Sequence, residues 1–85
     1  MNTGTIVDLR LPELSENGGE TVITAWHVTQ NGYVVKDQDL LEVATDKATF
    51  DVPSPCAGVL IKILKKEGEE VRAGEIIARI KVDRS

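Results

Sequence analysis

The chain has 85 residues, 41% hydrophobic and 28% charged, with 14 acidic against 10 basic side chains and a net charge of −4. That is enough for one small domain and too little for a deep internal pocket, and the acidic balance argues against nucleic acid as the main partner. One Cys excludes an internal disulfide, one Cys with one His excludes the usual zinc sites, and no apolar run approaches the ~18 residues of a membrane span.

Val, Ile and Leu supply 24 of the apolar residues, while Phe, Trp and Tyr supply one each. Branched side chains of this kind favour strands. In chain order, apolar runs fall at residues 6–11, 21–28, 34–35, 40–44, 49–52 and 59–64, near Val71, and at 76–82. Turn chemistry separates them: Glu16-Asn17-Gly18-Gly19, Asn31-Gly32, Asp37-Gln38-Asp39, Asp46-Lys47, Pro53-Ser54-Pro55, Glu67-Gly68 and Ala73-Gly74. Short runs broken every eight to twelve residues or so predict an all-β domain. No stretch holds a helical period for ten residues; the polar run after Leu64 is cut by Gly68. The first ten residues, MNTGTIVDLR, carry no signal-peptide pattern, so an intracellular, soluble domain is expected.

The two halves resemble each other. A shift of 37 residues places Val22 on Val59, Ile23 on Leu60, Trp26 on Ile63, Val34 on Val71, Leu40 on Ile77 and Val43 on Ile80. It also places Asn31 on Gly68 and Asp37 on Gly74, all residue types that tolerate positive φ. Leu40 and Val43 are three apart, as are Ile77 and Ile80; that spacing breaks alternation and predicts a bend or bulge in both copies. The repeat predicts two four-stranded antiparallel sheets packed face to face, related by pseudo-twofold symmetry. The turn Asp46-Lys47 then corresponds to Asp83-Arg84. It projects at one end, and the chain termini lie together at the other.

The segment Glu42-Val43-Ala44-Thr45-Asp46-Lys47-Ala48-Thr49-Phe50 reads as a tight hairpin with Asp46 and Lys47 at its tip. Ala44 and Ala48 leave the lysine sterically open. On its own, an Asp-Lys turn is usually nothing more than a solvated turn.

Thr45-Asp46-Lys47-Ala48 resembles the modification motif of lipoyl domains, the swinging-arm carriers of 2-oxo acid dehydrogenase complexes. Further marks follow in that family's order: Leu11-Pro12-Glu13-Leu14-Ser15-Glu16, Trp26-His27-Val28, Val52-Pro53-Ser54-Pro55 with Gly58, then Gly68, Val71, Gly74, Ile77 and Ile80. The resemblance covers residues 6–82, within a single carrier domain over 1–85 whose tails are expected to be linker. Ala44 stands where the family often has Glu, and Asn31-Gly32 replaces the commoner Gly-Asp turn.

The resemblance implies a flattened barrel-sandwich (hammerhead) fold and a covalent lipoyl group, lipoate joined by an amide to Lys47. It implies recognition contacts at Thr45, Asp46, Ala48 and Glu16, the last in the loop over residues 13–20. The expected partners are a lipoate ligase or octanoyltransferase, a thiamine-diphosphate-dependent decarboxylase (E1), an acyltransferase core (E2) and the flavoprotein dihydrolipoamide dehydrogenase (E3). An exposed lysine amine is protonated at neutral pH, so the modifying enzyme must deprotonate it and the domain need only present it. The domain is then no enzyme by itself, although its parent chain would be a dihydrolipoyllysine-residue acyltransferase. No catalytic residue, metal, nucleic acid or membrane is expected. The isolated domain is expected to be monomeric, in a bacterial cytoplasm or the mitochondrial matrix.

Other residues invite blander readings. Trp26 alternates with Val22, Thr24 and Val28 and is expected in the core. His27 is expected to be exposed, with no triad pattern around it, and Cys56 to be a small semi-buried filler. Gly18-Gly19 lacks the helix of a phosphate loop, and Lys65-Lys66 reads as a solvated turn. Four alternatives remain at this level: a biotin carrier of a carboxylase, a glycine-cleavage carrier, an unmodified structural hammerhead, and an unrelated β-sandwich binding module. Biotin carriers flank their lysine with Met on both sides, whereas Lys47 lies between Asp46 and Ala48.

Overall fold

The computed structural model describes residues 5–14 and 20–82. They form eight strands: β1 (Ile6–Arg10), β2 (Thr21–Trp26), β3 (Tyr33–Val34), β4 (Asp39–Ala44), β5 (Thr49–Pro53), β6 (Gly58–Ile63), β7 (Glu70–Val71) and β8 (Ile76–Val82). One sheet has the order β1-β8-β6-β3 and the other β5-β4-β2-β7, with every pairing antiparallel. Neither sheet closes on itself, so the fold is a flattened sandwich, and no helix occurs among the described residues.

The 37-residue shift carries β2, β3 and β4 onto β6, β7 and β8, and β1 takes the place of β5, so one sheet's strand order maps onto the other's. The irregularities map as well. Pairing of β2 with β4 slips between Ile23 and Ala25, and that of β6 with β8 between Leu60 and Lys62. Against β5, strand β4 slips between Asp39 and Leu41, and β8 slips at the matching place against Leu9 and Arg10. The slips of β4 against β5 and of β8 against β1 are the bulges that the three-residue spacing predicts. Each lets two successive apolar residues face inward, Leu40 with Leu41 and Ile77 with Ala78, all at 0% exposure.

The turns follow the same rule. Asn31 and Asp37 have φ of 77° and 70°, and their mates Gly68 and Gly74 have 90° and 89°. Each half closes its crossover on the other half. The Asn31 N–H donates to Leu60 O at 2.6 Å and the Gly68 N–H to Ile23 O at 2.8 Å. Two side chains exchange the same service: Gln30 Oε1 accepts the Ile63 N–H, and Glu67 Oε2 accepts the Trp26 N–H, both at 2.9 Å. Reciprocal bonding of this kind leaves neither half a complete unit without the other.

The core lies between the sheets. Leu9, Val34, Leu60, Ile77, Ala78 and Ile80 come from one side, and Ile23, Leu40, Leu41, Val43, Val52 and Val71 from the other. Burial of such aliphatic side chains is worth ~1.5–3 kcal/mol each and is the main force closing the sandwich.

Trp26 requires a correction. It packs against the core, but not on a face shared with Val22 and Thr24. The inward residues of early β2 are Thr21 and Ile23; Thr24 is the extra residue of the bulge, and the slip then turns Trp26 inward opposite Leu41. Its indole Nε1–H donates to Lys65 O at 2.9 Å.

Candidate functional site at the β4–β5 hairpin

β4 and β5 pair in register up to Ala44 and Thr49, which leaves four residues to reverse the chain. The Thr45 N–H donates to Ala48 O at 2.8 Å and closes the ladder. Neither Asp46 nor Lys47 has positive φ, so the turn is not one of the primed or type II forms, which would demand Gly or Asn at its tip. A lysine can therefore occupy the tip without backbone strain. Asp46, Lys47 and Ala48 are exposed, and among the described residues neither the Asp46 carboxylate nor the Lys47 amine has a partner.

Thr45 is half-buried and braces the turn from within. Its Oγ1 accepts the N–H groups of Lys47 and Ala48 and donates to Ala48 O, each at 3.3 Å. A shallow cavity of about 400 Å³ lies beside the tip, lined by Glu20, Val22, Ala44, Thr45 and Asp46. Thr45, Asp46, Lys47 and Ala48 are thus together on one hairpin, while Glu16 lies outside the described residues.

The sheet that presents this hairpin is acidic. Its strands carry Asp39, Glu42, Asp51 and Glu70 and no Lys or Arg. The opposite sheet carries Arg10, Lys62, Arg79 and Lys81 against Asp8 alone. At one pair of symmetry-related positions the contrast is direct. Asp8 faces Arg79 across the strands, with Arg79 Nε 3.0 Å from its Oδ1, whereas Glu42 faces Asp51. Thr24 Oγ1 donates to Glu42 Oε2 at 2.8 Å, and His27 Nε2 lies 3.6 Å from Asp51 Oδ1, beyond hydrogen-bond distance. The local sequence around His27 does not announce that pair, because Asp51 is two strands away.

Among the described residues no other cluster competes with the hairpin. Among the described residues no group of three His, Cys, Asp or Glu side chains could hold a metal, and no helix is long and apolar enough to cross a membrane. Cys56 is half-buried against the core, and desolvation raises its thiol pKa, which opposes thiolate chemistry. A second open cavity of about 530 Å³ lies at the pseudo-twofold axis, where Trp26 and Gln30 meet their mates Ile63 and Glu67 beside Lys66.

Comparison with known proteins agrees with this geometry. The Biotin_lipoyl family model, described as "Biotin-requiring enzyme", matches residues 7–80. The dihydrolipoyllysine-residue acetyltransferase component of the pyruvate dehydrogenase complex of Corynebacterium glutamicum is 44% identical over 78 residues, which is 92% of this chain and 12% of that protein. The dihydrolipoyllysine-residue succinyltransferase component of the 2-oxoglutarate dehydrogenase complex of Cupriavidus necator is 44% identical over 75 residues, covering 88% of this chain and 18% of that protein. The chain therefore spans less than a fifth of either relative's length. The solution structure of the lipoyl domain of the 2-oxoglutarate dehydrogenase complex from Azotobacter vinelandii superposes with a TM-score of 0.72 at 27% identity, covering 87% of this chain and 94% of that one. The order of strands, the exposed lysine hairpin and these matches lead to one conclusion: the chain belongs to the biotin/lipoyl carrier family, as a carrier domain of the lipoyl type.

Proposed function

We propose that Lys47 is the attachment point of a covalent lipoyl group, and that the domain carries it as a swinging arm within a 2-oxo acid dehydrogenase complex. The observation that carries this reading is the exposed, unpartnered amine of Lys47 at the tip of a braced hairpin. The residues fit the group. An amide at Nζ needs an accessible amine, and the exposed residues beside Lys47 are a carboxylate and a methyl group. When bound, the dithiolane supplies a disulfide that accepts an acyl group and its reducing equivalents. The chain's own contribution is to hold the amine away from the sandwich.

The partners that follow from this reading are a lipoate ligase or octanoyltransferase, a thiamine-diphosphate-dependent decarboxylase, an acyltransferase core and dihydrolipoamide dehydrogenase. The parent chain is then a dihydrolipoyllysine-residue acyltransferase. Tethering raises the arm's effective concentration at each active site to about the mM range without new contacts. The domain surface therefore need not bind any partner tightly. The choice of 2-oxo acid rests with the decarboxylase.

Biotin is the competing cofactor, because the family model embraces both groups. The test is intact mass after incubation with a lipoate ligase, ATP and lipoate, and in parallel with a biotin ligase, ATP and biotin. One lipoyl addition, lost in Lys47→Ala, is the expected result. Addition of biotin, or lipoyl addition that survives Lys47→Ala, overturns the proposal.

A further inference from the structure

The pseudo-twofold axis provides an internal reference for the hairpin. The mate of Thr45 is Val82. At the hairpin pole the Thr45 N–H donates to Ala48 O at 2.8 Å; at the other pole the Val82 N–H donates to Thr5 O, also at 2.8 Å. Both poles therefore close their ladders alike. At the hairpin pole the chain must also cross from one strand to the next through two residues, and there a hydroxyl takes the place of one methyl of the valine.

That hydroxyl performs a specific task. A β-turn is commonly closed by the N–H of its fourth residue donating to the carbonyl of its first. Here the Ala48 N–H donates to Thr45 Oγ1 instead, at 3.3 Å, and the Lys47 N–H donates to the same atom, also at 3.3 Å. These two N–H groups belong to the two peptide planes on either side of the Lys47 Cα. One oxygen therefore anchors both planes, and together they set the direction of the Lys47 Cα–Cβ bond. Asp46, of a residue type that often braces such turns, takes no part, and its carboxylate stays exposed.

We propose that Thr45 is a positioning residue for the modification of Lys47: by holding both flanking peptide groups, its Oγ1 fixes the direction in which the lysine side chain leaves the turn. This rests on the reading of Lys47 as the acceptor. Thr45 need not touch the incoming acyl group. Without the hydroxyl the turn samples orientations that the modifying enzyme cannot use. The apparent affinity then falls by the fraction of competent molecules, while the step within the complex is unchanged.

The test compares wild type, Thr45→Val and Thr45→Ser as substrates of a lipoate ligase supplied with lipoate and ATP, together with amide exchange of each unmodified domain. Val keeps the branched shape and removes the hydroxyl; Ser keeps the hydroxyl. For Thr45→Val, KM is expected to rise about five- to tenfold, with kcat within about twofold. Exchange of the Lys47 and Ala48 amides accelerates while the core amides of β4 and β8 keep their protection. Thr45→Ser matches wild type in both measurements. An unchanged KM in Thr45→Val overturns the inference, as does a Ser variant as poor as the Val variant, or a loss accompanied by faster exchange throughout the core. Absence of lipoylation in wild type instead sinks the acceptor reading, and the positioning role falls with it.

Discussion

The two sheets share a backbone plan and differ in what they display. Bulges, left-handed turn residues and crossover bonds recur 37 residues apart, yet one outer surface pairs Asp8 with Arg79 while the other sets Glu42 against Asp51. Like charges directly opposite on a sheet are unfavourable. What the halves hold in common is therefore what the fold requires: inward aliphatic residues and turn residues of the right handedness. The cores differ in detail, as at Leu41 and its mate Ala78, but the contrast in charge lies on the outward faces, and at the poles the lysine hairpin at one end answers to the paired ends of β1 and β8 at the other.

Moving the acceptor within its own pole tests the role of position most directly. Exchanging Asp46→Lys with Lys47→Asp leaves the sandwich intact and is expected to abolish lipoyl addition by mass; efficient labelling of the exchanged variant would show that position is not what the ligase reads. Next come the matched core residues Ile23 and Leu60, both at 0% exposure. Each substitution to Ala should cost ~2–5 kcal/mol in urea denaturation, and the two costs should agree within about 1 kcal/mol if the halves contribute equally. Gly68→Ala and Gly74→Ala come third. A Cβ at either site meets nothing within 4 Å, so the loss of ~1–2 kcal/mol is purely that of the left-handed backbone. Gly68→Asn should cost less, since Asn31 already occupies the mate position with φ 77°.

The smallest effect tests the charges. Arg79→Glu gives the basic sheet the acidic sheet's carboxylate pair and should lose about 0.5–1 kcal/mol at low salt, with the difference shrinking at high salt. Glu42→Arg makes the converse change. It gives up the Thr24 bond, and the new pair lies in a partly exposed setting like that of Asp8 and Arg79. Solvent screening holds its gain to about 0.5 kcal/mol or less.

Most of this plan was legible from residue types. Among the described residues, branched runs located the eight strands, the repeat located the mates, and Asn31, Asp37, Gly68 and Gly74 marked the four left-handed positions because few other residue types tolerate them. The phase of β2 was not legible: a single extra residue, Thr24, reverses which side Trp26 faces, and nothing in alternation reveals a one-residue slip. Nor were the Gln30–Ile63 and Glu67–Trp26 bonds, whose partners lie on opposite halves of the chain. At the site, the tip was evident from an Asp-Lys pair between two strands. The work of Thr45 was not, because a hydroxyl beside a turn can face outward or inward with the same sequence around it.

The bond between Thr5 and Val82 places the two polypeptide exits side by side, on the pole away from Lys47. Anything fused before or after the sandwich departs from that shared point, so neither tether has to pass the acceptor on its way out. Joining the exits with a short bridge and reopening the chain elsewhere should yield a permuted protein that still folds.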